Sequence, residues 1–160
     1  VDALTERHAF IDPRRVGIMG YSGGGLLAAN AMLTMPDLFS VGVAGAGNHD
    51  NNIYEQNSGE FHFGLLPEQP DNTGEGPGRY GTALPRAANL AGHLLLIHGD
   101  QDRDVILAHS LRLAHALVEA DRPFDMVIIP GGTHGSVSSS RYYHRTIWRY
   151  FAEHLGAVSD

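Results

Sequence analysis

The 160-residue sequence predicts an α/β protein in which a parallel β-sheet is covered by helices on both faces, giving three layers. Four short apolar runs alternate along the chain with segments of helical periodicity. The runs are apolar throughout instead of at every second position, which is typical of strands buried on both faces. Such strands, separated by helices, belong to a parallel sheet between two helical layers. The length fits a single domain, 1–160.

The strands are predicted from apolar runs that end at turn-forming or polar residues. The first run ends at Gly20, and the third and fourth are each followed by a polar, glycine-containing loop. The predicted strands span 15–19, 41–46, 94–98 and 124–129.

The helices are predicted from apolar residues that recur at three- and four-residue spacing. Pro36 stops the first helix, Asp104 is placed to cap the second, and Gly156 ends the last. Trp148 and the tyrosines of the last helix are expected in the core. The predicted helices span 24–35, 105–120 and 138–155.

One stretch, 47–81, does not fit the alternation of strands and helices. It contains six acidic residues and no lysine or arginine before Arg79, and prolines and glycines fill its second half. A loop this long in a compact domain is usually functional or disordered. We therefore expect either a solvated surface insertion or a wall of a substrate pocket.

The composition excludes several kinds of chemistry. The net charge of −7 argues against nucleic acid as a partner, and no apolar run is long enough to predict a membrane span. All basic residues are arginine, so no lysine nucleophile or phosphate-loop lysine is available. The absence of cysteine excludes thiolate catalysis and disulfides, and His109 and His115 lack metal-ligand spacing. No cofactor and no metal are predicted.

Gly20-Tyr21-Ser22-Gly23-Gly24 matches the G-x-S-x-G nucleophile elbow. The pentapeptide lies between an apolar strand and a helix, as this turn requires. In a chain with 20 glycines the match alone is weak, and an ordinary glycine-rich turn is the alternative. If Ser22 is the nucleophile, the backbone N–H of Gly23 at the helix start is placed to stabilise an oxyanion.

Acidic and histidine residues follow the third and fourth strands. Asp100, Asp102 and Asp104 come after the third strand, and His134 comes after the fourth. Groups at the carboxyl ends of parallel strands collect at one sheet edge, and the order Ser, Asp, His is that of α/β-hydrolases. A histidine activates the serine hydroxyl, and a carboxylate orients the histidine. With Asp104 expected to cap a helix, spacing leaves Asp100 and Asp102 as alternatives for the acid.

These motifs together resemble the C-terminal part of the catalytic α/β-hydrolase domain of the prolyl oligopeptidase family, nearest its dipeptidyl peptidase IV branch. The similarity runs from about residue 5 to residue 155. The segments that carry it are 10–18, 20–25, 35–39, 47–50, 98–105 and 134–135.

The resemblance implies a serine peptidase with Ser22 as nucleophile, Asp102 as the triad acid and His134 as the base. It also implies that Tyr54 and Val105 lie at the substrate pocket. Ser58 stands where relatives usually have a bulky aromatic residue. Asp104 stands where the dipeptidyl branch often has an asparagine facing a substrate carbonyl, so preference for proline is not implied.

The family's catalytic domain is longer than this chain and is preceded by a β-propeller. The resemblance therefore implies a piece of a larger enzyme that works poorly alone, because the loop that supplies a second oxyanion donor is missing. A carboxylesterase and a catalytically incomplete fragment are the alternatives to a peptidase. The resemblance favours a periplasmic or secreted location over a cytoplasmic one, and the oligomeric state stays open.

Overall fold

In the computed structural model, four parallel strands form one sheet in the order β1-β2-β3-β4. The structure describes residues 1–55, 57, 61 and 81–156. The strands are β1 (Gly17–Tyr21), β2 (Val41–Gly45), β3 (His93–Gly99) and β4 (Asp125–Ile129). The helices are α1 (Asp2–Arg7), α2 (Gly23–Thr34), α3 (Ala108–Glu119), α4 (His134–Ser139) and α5 (Arg141–Leu155). Short 3-10 helices lie at Asn51–Ile53 and Leu84–Asn89.

Helices cover both faces of this sheet, which confirms the predicted α/β class. Helices α2 and α3 connect neighbouring strands and pack with the second 3-10 helix on one face, around Leu94 and Leu96 of β3. Helix α5 follows the last strand and packs on the other face, against Leu95 and Ile97 of β3. Successive strand residues point to opposite faces, so a strand that is apolar throughout supplies both cores.

The first strand begins and ends two residues later than the sequence predicts. Residues 12–15 form a turn, in which the Arg14 N–H donates to the Asp12 side chain and the Arg15 N–H donates to the Asp12 carbonyl. Pairing with β2 then starts at Gly17 and continues to Tyr21. The strand therefore runs directly into Ser22.

The prediction that Asp104 caps the second predicted helix is wrong. That helix, α3, begins at Ala108, with Leu107 at its N-cap position. The backbone N–H groups of Asp104 and Val105 donate instead to the Asp102 carboxylate. These hydrogen bonds hold the preceding residues in a loop and so delay the helix.

The last predicted helix is two helices, separated by Ser140. Ser140 has extended backbone angles (φ −76°, ψ 140°), and its hydroxyl accepts from the Tyr143 N–H, so it caps α5. Tyr143 and Tyr150 are buried as predicted, but Trp148 is 69% exposed and Tyr142 is 59% exposed, so the predicted core positions of these two residues are wrong. The buried positions of α5 define one face of the helix, and Trp148 lies outside that face.

Most of the predicted loop 47–81 lies outside the described residues. Its described part runs from β2 through the first 3-10 helix, and Asp50 forms an isolated antiparallel bridge with Thr82. Of the described strands, only β2 pairs with β1, so the outer edge of β1 carries no described partner. No helix in the described part of the chain is both long and apolar enough to cross a membrane.

Two neighbouring glycines in the first turn of α2 differ sharply in the space around them. A Cβ added at Gly25 would lie 2.5 Å from the Gly45 carbonyl oxygen of β2, whereas a Cβ at Gly24 would meet nothing within 4 Å. Gly25 thus allows the helix to approach the sheet at the turn that carries Ser22.

We expect Gly25→Ala to lower the free energy of unfolding by about 2 kcal/mol or more, because helix and strand backbones must separate. Gly24→Ala is the matched control, and it is expected to be neutral or stabilising by up to about 1 kcal/mol through helix propensity. Urea unfolding followed by circular dichroism measures both. Equal destabilisation by the two variants would contradict the close packing of α2 on β2.

Candidate active site

The three residues predicted as a triad lie at the carboxyl ends of three strands of the same sheet. Ser22 follows β1 directly, Asp102 lies in the loop after β3, and His134 begins α4 after β4. Because the strands are parallel, these ends share one edge of the sheet. The fold thus brings together loops that are far apart in the sequence.

Ser22 lies in the strained turn that the sequence predicts. Its backbone has φ 57° and ψ −125°, and a positive φ is uncommon for a residue other than glycine. The Ser22 N–H donates to the Gly45 carbonyl (2.8 Å), and the Ser22 carbonyl accepts from the Gly25 N–H (2.8 Å). Gly23 is the first residue of α2, and its backbone N–H makes no hydrogen bond to a described residue outside that helix. This arrangement is the one in which a serine between strand and helix presents its hydroxyl above the sheet.

Asp102 and His134 form a direct side-chain contact. His134 Nδ1 lies 2.7 Å from Asp102 Oδ2, and the Asp102 side chain is fully buried. The other carboxylate oxygen, Oδ1, accepts the Asp104 N–H (3.0 Å) and the Val105 N–H (2.9 Å). Hydrogen bonds from several donors compensate for the burial of a carboxylate.

A second imidazole supports the Asp102 loop from inside the protein. His98, fully buried, has Nε2 at 2.7 Å from the Val105 carbonyl oxygen and at 3.5 Å from Asp102 Oδ2. A carbonyl only accepts, so Nε2 carries the proton, and Nδ1 then accepts from the Ser110 hydroxyl (2.7 Å). Burial lowers the pKa of His98, which keeps this ring neutral. The sequence indicated a packed, hydrogen-bonded histidine here, but no local signal shows its contact with Asp102.

Asp100, the alternative acid that spacing left open, contacts the histidine loop by a different route. Its Oδ1 accepts the Gly131 N–H at 2.7 Å, and the neighbouring Gln101 N–H donates to the Gly132 carbonyl. The Asp100 side chain therefore binds the backbone of the loop that precedes His134, whereas Asp102 contacts the His134 ring itself.

Ser22 and His134 are not joined by a hydrogen bond in the described part of the structure. The His134 side chain is 20% exposed, so its ring reaches the surface at this edge. In unliganded enzymes such contacts are often long and tighten only when substrate binds.

Two of the predicted pocket residues, Tyr54 and Asp104, lie around this edge. Tyr54 packs edge-on against His109, and its pKa is raised by burial and by the charges of Glu55, Asp104 and Asp102. Asp104 is exposed, and one oxygen of its carboxylate lies within 4.8 Å of ligand atoms of Asp102 and His134. These two residues are therefore close to the proposed reaction centre.

Val105 and Ser58 are the other two positions that the family resemblance relates to the pocket. Val105 has a side chain that is almost fully buried, and its backbone hydrogen-bonds both Asp102 and His98. The prediction for Ser58 concerns a position outside the described residues.

The donor set of Asp102, Asp104 and His134 has the chemistry of a divalent-cation site. However, both oxygens of Asp102 already accept hydrogen bonds from protein groups. The Asp102 carboxylate is therefore already engaged in hydrogen bonds. That the site holds no metal stays a prediction.

Two further histidines are buried beneath the site. His49 and His109 are fully buried, and neither ring nitrogen of His49 has a hydrogen-bond partner among the described residues. Burial, reinforced by the neighbouring His98 and His109, lowers the pKa of His49 to about 3. Burial likewise lowers the pKa of His109 to about 4. Both rings are neutral in the folded protein at neutral pH.

We expect stability to fall as the pH drops below about 6.5. The unfolded chain takes up protons on these histidines near pH 6.5, while the folded chain takes them up only near the lowered values, so acid favours unfolding. Between pH 6.5 and its own lowered pKa, each of these histidines lowers the free energy of unfolding by about 1.4 kcal/mol for every pH unit of acidification. His49→Gln should reduce the slope between pH 6 and pH 5 by about that amount in urea unfolding. The exposed His115→Gln is the control, and an unchanged slope in His49→Gln would contradict the assignment.

Comparison with known proteins assigns the chain to one protein family. The model of the prolyl oligopeptidase family matches residues 1–158. Human dipeptidyl peptidase 8 is 33% identical over 96% of the chain, and an inactive dipeptidyl peptidase 10 from rat is 27% identical over 93%.

Solved structures agree with this assignment. A Bacteroides ovatus protein described as a dipeptidyl aminopeptidase IV matches 95% of the chain with a TM-score of 0.80 and 32% identity. Dipeptidyl peptidase 4 from Porphyromonas gingivalis matches 91% with a TM-score of 0.74 and 27% identity. The chain spans about a fifth of the length of these relatives, 17% of the human protein and 21% of the Bacteroides chain.

Proposed function

Because the chain belongs to the prolyl oligopeptidase family, we propose that the protein carrying it is a serine peptidase that acts through Ser22, Asp102 and His134. The observation that carries the proposal is the 2.7 Å contact between His134 Nδ1 and the buried Asp102 carboxylate. It lies at the same sheet edge as the strained turn of Ser22. A nucleophile, a base and an acid on loops at one sheet edge are what acyl transfer by a serine requires.

In the first half of the reaction, Ser22 Oγ attacks the carbonyl carbon of the scissile peptide bond. His134 Nε2 accepts the hydroxyl proton, and Asp102 stabilises the imidazolium through Nδ1–H. The Gly23 N–H at the start of α2 donates to the developing oxyanion. As the C–N bond breaks, His134 gives its proton to the leaving amine, and an ester to Ser22 remains.

In the second half, water attacks the ester carbonyl while His134 takes one of its protons. Breakdown of the second tetrahedral intermediate returns that proton to Ser22 Oγ and releases the acid product. The neutral His98 beside Asp102 adds no positive charge that would compete with the imidazolium.

The substrate we propose is a peptide, and Tyr54, Asp104 and Val105 are the residues proposed to form its binding pocket. Asp104 lies near Asp102 and His134, and Tyr54 lies close enough to Asp102 and Asp104 for their charges to raise its pKa. The relatives named dipeptidyl peptidases suggest cleavage near a peptide N-terminus. An anion at Asp104 favours a hydrogen-bond donor or a positive charge on the substrate over a carbonyl oxygen.

We further propose that 1–160 is the C-terminal portion of a longer hydrolase domain, with the remaining sheet next to β1 and a propeller domain elsewhere in the protein. Relatives about five times as long support this proposal. So does the outer edge of β1, which no described strand pairs.

A catalytically inactive protein is the second candidate, and one observation favours it. Rat dipeptidyl peptidase 10, named inactive, is similar over 93% of the chain. Fold similarity therefore does not decide activity in this family, and the site has to be tested directly.

We expect a fluorophosphonate probe to label the full-length protein at Ser22, as seen by intact mass and peptide mapping. Ser22→Ala should remove the label, and His134→Ala should slow labelling by about 10³-fold or more because the base is lost. Absence of labelling in the folded full-length protein would reject the peptidase and support the inactive alternative. Comparing peptide and short-chain ester substrates then separates a peptidase from a carboxylesterase.

Asp102→Asn should lower kcat by about 10⁴-fold, because the amide no longer holds the catalytic tautomer of His134. Asp100→Asn is the matched control, because its side-chain oxygen still accepts the Gly131 N–H. Asp100→Asn should change kcat by less than about tenfold, since the variant loses only the negative charge of a side chain that binds a backbone N–H. Equal losses in the two variants would contradict Asp102 as the triad acid.

A further inference from the structure

We propose that Tyr21 is a positioning residue that ties the backbone of His134 to the turn carrying Ser22. The inference rests on the proposed function, because it concerns the geometry between the nucleophile and the base. Tyr21 is the variable second residue of the G-x-S-x-G motif, so the motif itself gives it no role.

Two contacts join Tyr21 to His134. The Tyr21 hydroxyl donates to the His134 carbonyl oxygen at 2.6 Å, and the two rings lie with centroids 5.1 Å apart. Burial raises the pKa of Tyr21, and the charge of Asp102 raises it further, so the phenol stays protonated and able to donate. A carbonyl cannot donate, so the direction of this hydrogen bond is fixed.

The surrounding packing leaves the Tyr21 ring little freedom. On the neighbouring strand β2, Gly45 lies opposite Tyr21, and a Cβ there would lie 2.6 Å from both the Tyr21 ring and the Tyr143 hydroxyl. Tyr143 packs edge-on against Tyr21 at 5.5 Å between centroids. A side chain at position 45 would therefore displace the Tyr21 ring or the Tyr143 ring.

His134 is thus held at two different points. Asp102 holds the imidazole through Nδ1, whereas Tyr21 holds the backbone carbonyl of the same residue. Tyr21 is also the last residue of β1 and precedes Ser22 directly. A shift of His134 relative to Ser22 therefore requires this hydrogen bond to lengthen or break.

This placement predicts an effect on the chemical step and not on substrate binding. Misplacing a catalytic group by about 1 Å costs up to about 10²-fold in rate, and loss of one anchor out of two should cost less. The hydroxyl is occupied by the carbonyl, so Tyr21 acts through His134 and does not touch the substrate in this proposal.

The test is Tyr21→Phe in the full-length protein, which removes the hydroxyl and keeps the ring. We expect kcat on a chromogenic peptide anilide to fall about tenfold, with KM within about twofold of wild type. The rate of fluorophosphonate labelling at Ser22 should fall by a similar factor. Thermal melting followed by circular dichroism reports whether the fold is kept.

Tyr143→Phe is the matched control, because Tyr143 is a neighbouring buried tyrosine whose hydroxyl has no hydrogen-bond partner among the described residues. It should leave kcat within about twofold of wild type. Wild-type kcat in Tyr21→Phe, or an equal loss in Tyr143→Phe, would overturn the inference. Labelling that survives Ser22→Ala would instead overturn the proposed function, so the two failures are distinguishable.

Discussion

The buried carboxylate of Asp102 is the constraint on which the geometry of this sheet edge depends. A charge removed from water is costly unless donors replace the water, and the chain surrounds Asp102 with them. The backbone N–H groups of Asp104 and Val105 serve one oxygen, and His134 serves the other. Satisfying this carboxylate shapes the loop after β3, delays the start of α3 and orients the imidazole of His134.

The buried histidine beside this carboxylate, His98, and the two buried histidines near His98 are neutral. His98, His49 and His109 all have lowered pKa values because burial opposes their protonation. Neutral rings can hydrogen-bond or pack beside Asp102 without creating a second buried charge. In the proposed mechanism, the imidazolium of His134 is then the positive charge that forms next to the carboxylate. The same burial makes the fold sensitive to acid.

Close packing at the sheet edge keeps the three loops in register. Gly25 lets α2 approach β2, and Gly45 leaves room for Tyr21 beside Tyr143. Asp100 connects the loops that carry Asp102 and His134, and Tyr21 connects β1 to α4. Distances between the proposed catalytic groups thus follow from contacts between loops.

The sequence by itself determined the α/β class, the turn at Ser22 and the order of serine, acid and histidine, because these depend on local periodicity and on short motifs. Spacing alone could not choose between Asp100 and Asp102, which are two residues apart in one loop, whereas the family resemblance pointed to Asp102. The sequence did not predict the break at Ser140, the exposure of Tyr142 and Trp148, or the contact of Tyr21 with His134. Only the tertiary structure decided these features, because each depends on which atoms of distant segments meet when helices and loops pack on the sheet.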